Sequence, residues 1–206
     1  MPTGAGKSMC YQIPAVLSKK LTIVISPLVA LMDDQVASLK ANGVNAACIH
    51  SGMPRKDQEQ AWIDIKSGRS RLLYLSPERL MTQRMLAAVA KIETAMFVID
   101  EAHCISKWGV SFRPDYAQLS QLPDLFPKAT ISAFTATASD ALKAAIIDAI
   151  YSSSGFKYTG ATTVVSNVLS YTRTIETDAA AYVNQLFPAD IRPGYLGNEP
   201  TFVVRR

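Results

Sequence analysis

The sequence predicts an α/β fold: a parallel sheet with helices on both faces. Two observations carry that prediction. Short apolar, β-branched runs alternate with segments of helical spacing throughout residues 1–150, which is the pattern of strands buried on both sides by crossover helices. The chemically distinctive residues then fall just after the apolar runs, where such sheets gather their ligands.

The chain opens with Thr3-Gly4-Ala5-Gly6-Lys7-Ser8, a phosphate-binding loop that makes the fold class a P-loop NTPase. Glycines let backbone N–H groups turn toward phosphate oxygens, Lys7 reaches the outer phosphates, and Ser8 offers its hydroxyl to Mg²⁺. The alternative for this stretch taken alone is an ordinary glycine turn. A buried strand normally precedes such a loop. The sequence shows none there, so the sheet is expected with its first strand missing. A helix follows from about Lys7, with Pro14 expected to kink or shorten it.

Leu21 to Ile25 is the first strand, ending at Ser26-Pro27. Leu28, Leu31, Met32 and Leu39 follow at helical spacing, and Gly43 stops that helix. Val44 to Ile49 is a strand, Arg55 to Lys66 a helix stopped by Gly68, and Leu72 to Leu75 a strand ending at Ser76-Pro77. A helix then runs from Glu78 to about Ile92. The next strand is Ala95 to Ile99, and the last is Thr130 to Phe134, leading into Thr135-Ala136-Thr137. Ser139 or Asp140 caps a helix over Ala141 to Ile150. Both Ser-Pro pairs are natural helix starts, with serine as cap and proline in the first turn. A helix start on the ligand side can also hold a nucleic-acid phosphate.

Composition narrows the partners. The chain has 206 residues, 49% of them hydrophobic, and a net charge of +4, which permits a polyanionic partner without demanding one. No apolar run is long enough to span a membrane. Cys10, Cys48 and Cys104 are odd in number and far apart, as expected of reduced cytosolic thiols rather than a disulfide framework or a zinc site. Residues 151–206 lose the strand–helix rhythm and form a tail of unclear structure with no catalytic constellation.

The densest stretch is Asp100-Glu101-Ala102-His103, running on to Trp108, Gly109, Phe112, Arg113, Pro114 and Tyr116. Two adjacent carboxylates after a buried strand are costly unless they hold a metal ion or a reacting proton. With the phosphate loop they form a constellation. Asp100 would hold Mg²⁺, directly or through water, and Glu101 would orient and deprotonate the water that attacks the γ-phosphate of a nucleotide. His103 can reach Thr135 or Thr137, or can be a plain loop histidine. Trp108, Phe112 and Tyr116 have the spacing of a helical core stripe. Gly109 and Pro114 favour instead an irregular loop that presents aromatic faces.

These motifs resemble the RecQ-type DNA helicases of superfamily 2. The likeness covers about residues 1–150 and rests on MPTGAGKS with CYQIPA, SPLVALMDDQ, YLSPERL, DEAHCISKWGVSFRPDY and FTATA. It implies a RecA-like ATP-binding lobe of a 3′→5′ DNA-unwinding motor of recombination and repair. Such a lobe uses ATP and Mg²⁺ and acts on single-stranded or partly duplex DNA, in the cytoplasm with the nucleoid of a bacterium or in a eukaryotic nucleus. It also implies that Trp108, Phe112 and Arg113 couple DNA to hydrolysis, with Ser26, Pro27, Ser76, Pro77, Thr135 and Thr137 on the nucleic-acid side. A second motor lobe is expected of the family, and residues 151–206 do not match one. Two other readings stay open: a non-catalytic nucleotide- or DNA-binding fragment, and a phosphate-loop ATPase unrelated to DNA.

Overall fold

The structure, a computed structural model, describes residues 7–105, 113–136 and 139–151. The phosphate-loop residues Thr3, Gly4, Ala5 and Gly6, the loop residues Trp108 and Phe112, Thr137, and the tail 152–206 lie outside the described residues.

Five strands, β1 (Leu21–Ile25), β2 (Ala46–Ile49), β3 (Leu72–Leu75), β4 (Thr94–Ile99) and β5 (Thr130–Ala133), form one sheet in the order β2-β3-β1-β4-β5. Every pairing is parallel. The eight α-helices among the described residues are α1 (Met9–Leu17), α2 (Val29–Ala41), α3 (Arg55–Lys66), α4 (Pro77–Leu80), α5 (Gln83–Val89), α6 (Pro114–Ala117), α7 (Leu122–Leu125) and α8 (Asp140–Tyr151).

Side-chain alternation along the strands builds two cores. Ile23, Ile25, Leu73, Leu75, Phe97 and Ile99 face one side and pack with Ala61 and Ile65 of α3, Met85 and Val89 of α5, and Ile146 and Ile150 of α8. Val24, Leu72, Tyr74, Met96 and Val98 face the other, against Tyr11 and Ala15 of α1 and Met32, Val36 and Leu39 of α2. Both faces are therefore covered, as the uninterrupted apolar runs require. Helices α2 and α3 stop where expected, at Gly43 and Gly68, whose φ of +76° and +72° are the left-handed closure that glycine adopts without a Cβ penalty.

Helix α1 ends at Leu17, three residues past Pro14. Three expectations are corrected. The segment after Ser76-Pro77 is two helices, because Thr82 turns extended and accepts the Met85 N–H on Oγ1 at 3.2 Å, starting α5 afresh. Ser26-Pro27 does not cap α2. That helix begins at Val29 with Leu28 at its cap position, and Ser76, although it stands at the cap of α4, makes no side-chain cap bond. Of the apolar residues spaced along α2, Met32 and Leu39 are buried, whereas Leu28 and Leu31 are 44% and 46% exposed. At the last helix Ser139 is the cap, accepting the Leu142 N–H on Oγ at 3.3 Å.

Thr22 is fully buried in the central strand, and its hydroxyl has no hydrogen-bond partner. A buried hydroxyl without a partner costs about 1–3 kcal/mol. The isosteric Thr22→Val change is expected to raise stability by roughly 1 kcal/mol, read as a higher denaturant midpoint at unchanged slope.

Candidate nucleotide and nucleic-acid site

The strand ladder does not end with the strands. Asp100 N–H donates to the Ile25 carbonyl at 2.9 Å, Ser26 N–H to Leu75 at 3.1 Å, Phe134 N–H to Ile99 at 2.8 Å, and Ala102 N–H to Phe134 at 2.8 Å. These bonds carry β1, β3, β4 and β5 one step further and bring Ser26-Pro27, Asp100-Glu101 and Phe134-Thr135 to one rim. Ser76-Pro77 follows β3 at the same carboxyl end.

Lys7 reaches this rim from the other end of the sequence. Its Nζ lies 3.0 Å from Glu101 Oε1 and 3.4 Å from Asp100 Oδ1. Burial works against the Lys7 charge, but the hydrogen bond to Glu101 and the fields of both carboxylates outweigh it and hold the pKa above the ordinary lysine value. For Asp100 the balance goes the other way. Burial dominates and raises its pKa, although Lys7 and the Glu101 N–H, which donates to Asp100 Oδ1 at 3.0 Å, both favour the anion. Ser8 sits next to Lys7 at the start of α1, its carbonyl accepting from the Tyr11 and Gln12 N–H groups. A partly buried, incompletely compensated carboxylate is a hard-oxygen donor, and it suits Mg²⁺.

Glu101 has φ +48°, the only positive φ on a non-glycine residue among the described residues. A side chain held in that sparsely populated region is a mark of functional sites. Its second oxygen, Oε2, is 3.1 Å from His103 Nδ1, and the same Nδ1 is 3.1 Å from Thr135 Oγ1. An ionised Glu101 requires the ring proton to be on Nδ1. His103 thus joins the end of β4 to the end of β5, as the sequence suggested for Thr135.

Arg113 donates through Nη1 to the Pro27 carbonyl at 3.1 Å, and its own N–H bonds the Cys104 carbonyl at 3.0 Å. The residue that closes the aromatic loop therefore holds the turn after β1. Tyr116 departs from expectation. It is not presented to solvent but fully buried in α6, its hydroxyl donating to the Asp100 carbonyl at 2.9 Å. Pro114, expected to break a helix, opens this short one. Sequence reasoning also missed Gln12. Its buried side-chain amide donates to Gln35 Oε1 at 2.8 Å and to the Tyr74 hydroxyl at 3.2 Å, linking α1, α2 and β3. Its position one turn beyond Ser8 was the available signal.

A parallel sheet with a lysine and two strand-end carboxylates at its rim defines a P-loop NTPase fold. The sequence pattern of the DEAD/DEAH box helicases matches residues 1–145, and the chain belongs to that family. It is similar to the ATP-dependent DNA helicase RecQ of Pasteurella multocida, 48% identical over 147 residues, or 71% of this chain and 23% of the relative. It is likewise similar to RecQ of Haemophilus influenzae, 46% identical over 160 residues, with coverage of 78% and 26%. The chain spans about a quarter of the length of these curated relatives. Among solved structures, a hypothetical ATP-dependent RNA helicase from Sulfolobus tokodaii superposes with a TM-score of 0.54 at 21% identity, covering 73% of this chain and 44% of that one. The Hef helicase domain of Pyrococcus furiosus gives 0.52 at 14%, covering 72% and 31%. Both share the fold.

Two outcomes are expected. The raised Asp100 pKa means that the folded chain holds this proton more tightly than the unfolded one, so its contribution to stability is present below the ordinary carboxyl value of 3.8 and is lost as pH rises through the folded value. Asp100→Asn removes that loss. Thermal melting without nucleotide should show a variant level with or above the parent at neutral pH, the gap closing in acid. Tyr116→Phe strips the Asp100 carbonyl of a buried donor and should cost about 1 kcal/mol in denaturant titrations.

Proposed function

We propose that this chain is the ATP-binding lobe of an ATP-dependent DNA helicase, working 3′→5′ on single-stranded or partly duplex DNA in recombination and repair. The observation that carries the reading is the convergence of Lys7 with Asp100 and Glu101, at 3.4 and 3.0 Å, across a separation of more than ninety residues. The resemblance to RecQ helicases supports the choice of DNA. Residues 1–150 form the lobe, and the partner it works against is a second motor lobe.

In this reading Ser8 and Asp100 hold Mg²⁺, which supplies neutralising charge at the nucleotide's phosphates. Lys7 lies within reach of both carboxylates and moves its charge onto the outer phosphates. Glu101, anchored by His103 on its far oxygen, orients the attacking water and accepts its proton. The phosphate-loop residues Thr3, Gly4, Ala5 and Gly6 cradle the nucleotide. Trp108 and Phe112 stack on bases, and Arg113 relays their position to the Pro27 turn. Ser26, Pro27, Ser76, Pro77, Thr135 and Thr137 line the nucleic-acid side.

The test places the matching stretch of this chain into the Pasteurella multocida relative and measures ATP turnover with and without single-stranded DNA. Stimulation by DNA is expected. Turnover indifferent to DNA would support an unrelated ATPase, and nucleotide binding without turnover a binding module; either sinks the proposal. In the same protein Lys7→Ala should weaken Mg-ATP binding at least tenfold. Glu101→Gln should spare binding and slow turnover by a factor of about 10²–10⁴.

A further inference from the structure

At the sheet edge beyond β3, where the carboxyl rim ends, three ligand-type side chains converge. Asp33 projects from the second turn of α2, Cys48 lies in edge strand β2, and His50 follows that strand. Cys48 and His50 are two apart on an extended segment and so share a face. Cys48 Sγ is 3.1 Å from Asp33 Oδ1, and His50 Nε2 is 3.3 Å from the same oxygen. One ligand atom from each residue lies within 4.8 Å of the others. Met53 adds a thioether 3.9 Å from the Cys48 sulfur. Metal–ligand bonds of about 2.0–2.3 Å in a tetrahedron set neighbouring donor atoms roughly 3.3–3.8 Å apart, close to the two spacings to Asp33, while the sulfur and the imidazole lie within 4.8 Å of each other.

The donor set is one sulfur, one imidazole nitrogen and one carboxylate oxygen, the mixture that zinc accepts and that magnesium and calcium do not prefer. Cys48 and His50 are both buried, while Asp33 is about half exposed on the solvent side, leaving an entry path. We propose that Asp33, Cys48 and His50 form a zinc-binding site that fastens the end of β2 to α2, with the fourth position open to water or to Met53. The proposal does not rest on the helicase reading, which gives Asp33, Cys48 and His50 at edge strand β2 no role.

In the arrangement described the site is filled by protons. The thiol and His50 Nε2–H both donate to Asp33, and His50 Nδ1 accepts the Gly52 N–H at 3.2 Å. Zinc on Nε2 moves the ring proton to Nδ1, which then cannot accept from Gly52, so binding must turn the Ser51-Gly52-Met53 segment. The thiol proton leaves to solvent, making a net release of one proton per ion. A bound zinc ion deprotonates a coordinating thiol outright.

The test uses the full chain stripped of metal and titrated with Co²⁺ as a spectroscopic stand-in. Expected are a thiolate-to-cobalt charge-transfer band and tetrahedral visible bands saturating at one ion per chain, displaced by Zn²⁺. Calorimetry in buffers of different ionisation enthalpy should show one proton released. Cys48→Ser should abolish the charge-transfer band, and His50→Asn and Asp33→Asn should each weaken binding at least tenfold. The double change Cys10→Ser, Cys104→Ser should leave it intact. If Cys48→Ser does not fold, the half-exposed Asp33→Asn remains as the decisive variant. Absence of a thiolate band at stoichiometric cobalt, a band that follows Cys10 or Cys104, or Asp33→Asn binding as tightly as the parent would overturn the proposal.

Discussion

The structure depends on the pairing of Lys7 with the two carboxylates that follow β4. A parallel sheet covered on both faces leaves its charged groups few places to go, and the carboxyl ends of the strands are the chief one. Asp100 and Glu101 stand there at a cost, because burial of a carboxylate is unfavourable unless a cation and hydrogen bonds accompany it. Lys7 supplies the cation, the Glu101 N–H a hydrogen bond to Asp100, and His103 a partner for the remaining oxygen of Glu101. The compensation is uneven: Lys7 gains from the arrangement while Asp100 still carries a penalty. The site is thus held together on one side and unsatisfied on the other, the condition in which a divalent ion is welcomed.

The same rim is stiffened from below. Tyr116 holds the Asp100 carbonyl, Arg113 holds the Pro27 carbonyl, and the ladder bonds of Asp100, Ala102 and Phe134 fix the loops to the strands they leave. On the opposite face of the sheet, Gln12 ties the helix that follows the phosphate loop to Gln35 and Tyr74. A displacement of α1 cannot stay local, because the amide that would move is shared with α2 and β3.

Much of this was legible in the residues. Unbroken apolar strands announced a sheet covered on both sides, Gly43 and Gly68 marked helix ends, and the strand-end carboxylates pointed to the phosphate loop. What escaped was whatever depends on which neighbour a side chain meets. Tyr116 has the same spacing from Phe112 whether it stacks on a base or fills a core, and only the position of the Asp100 carbonyl decides. Leu28 and Leu31 share the helical spacing of Met32 yet stay exposed, because α2 begins later than Ser26-Pro27 suggested and its buried stripe is set by Met32, Val36 and Leu39. Asp33 lies fifteen residues before Cys48, a distance at which no local pattern signals contact; the crossover from α2 to β2 creates it.

His103 presents one ring nitrogen to two acceptors, Glu101 Oε2 and Thr135 Oγ1, each at 3.1 Å. A single hydrogen cannot serve both fully, so each acceptor holds it only as firmly as its own charge allows. An anionic Glu101 takes the larger share. The ring therefore divides one bond between two loops, so that the segments leaving β4 and β5 share a single hydrogen.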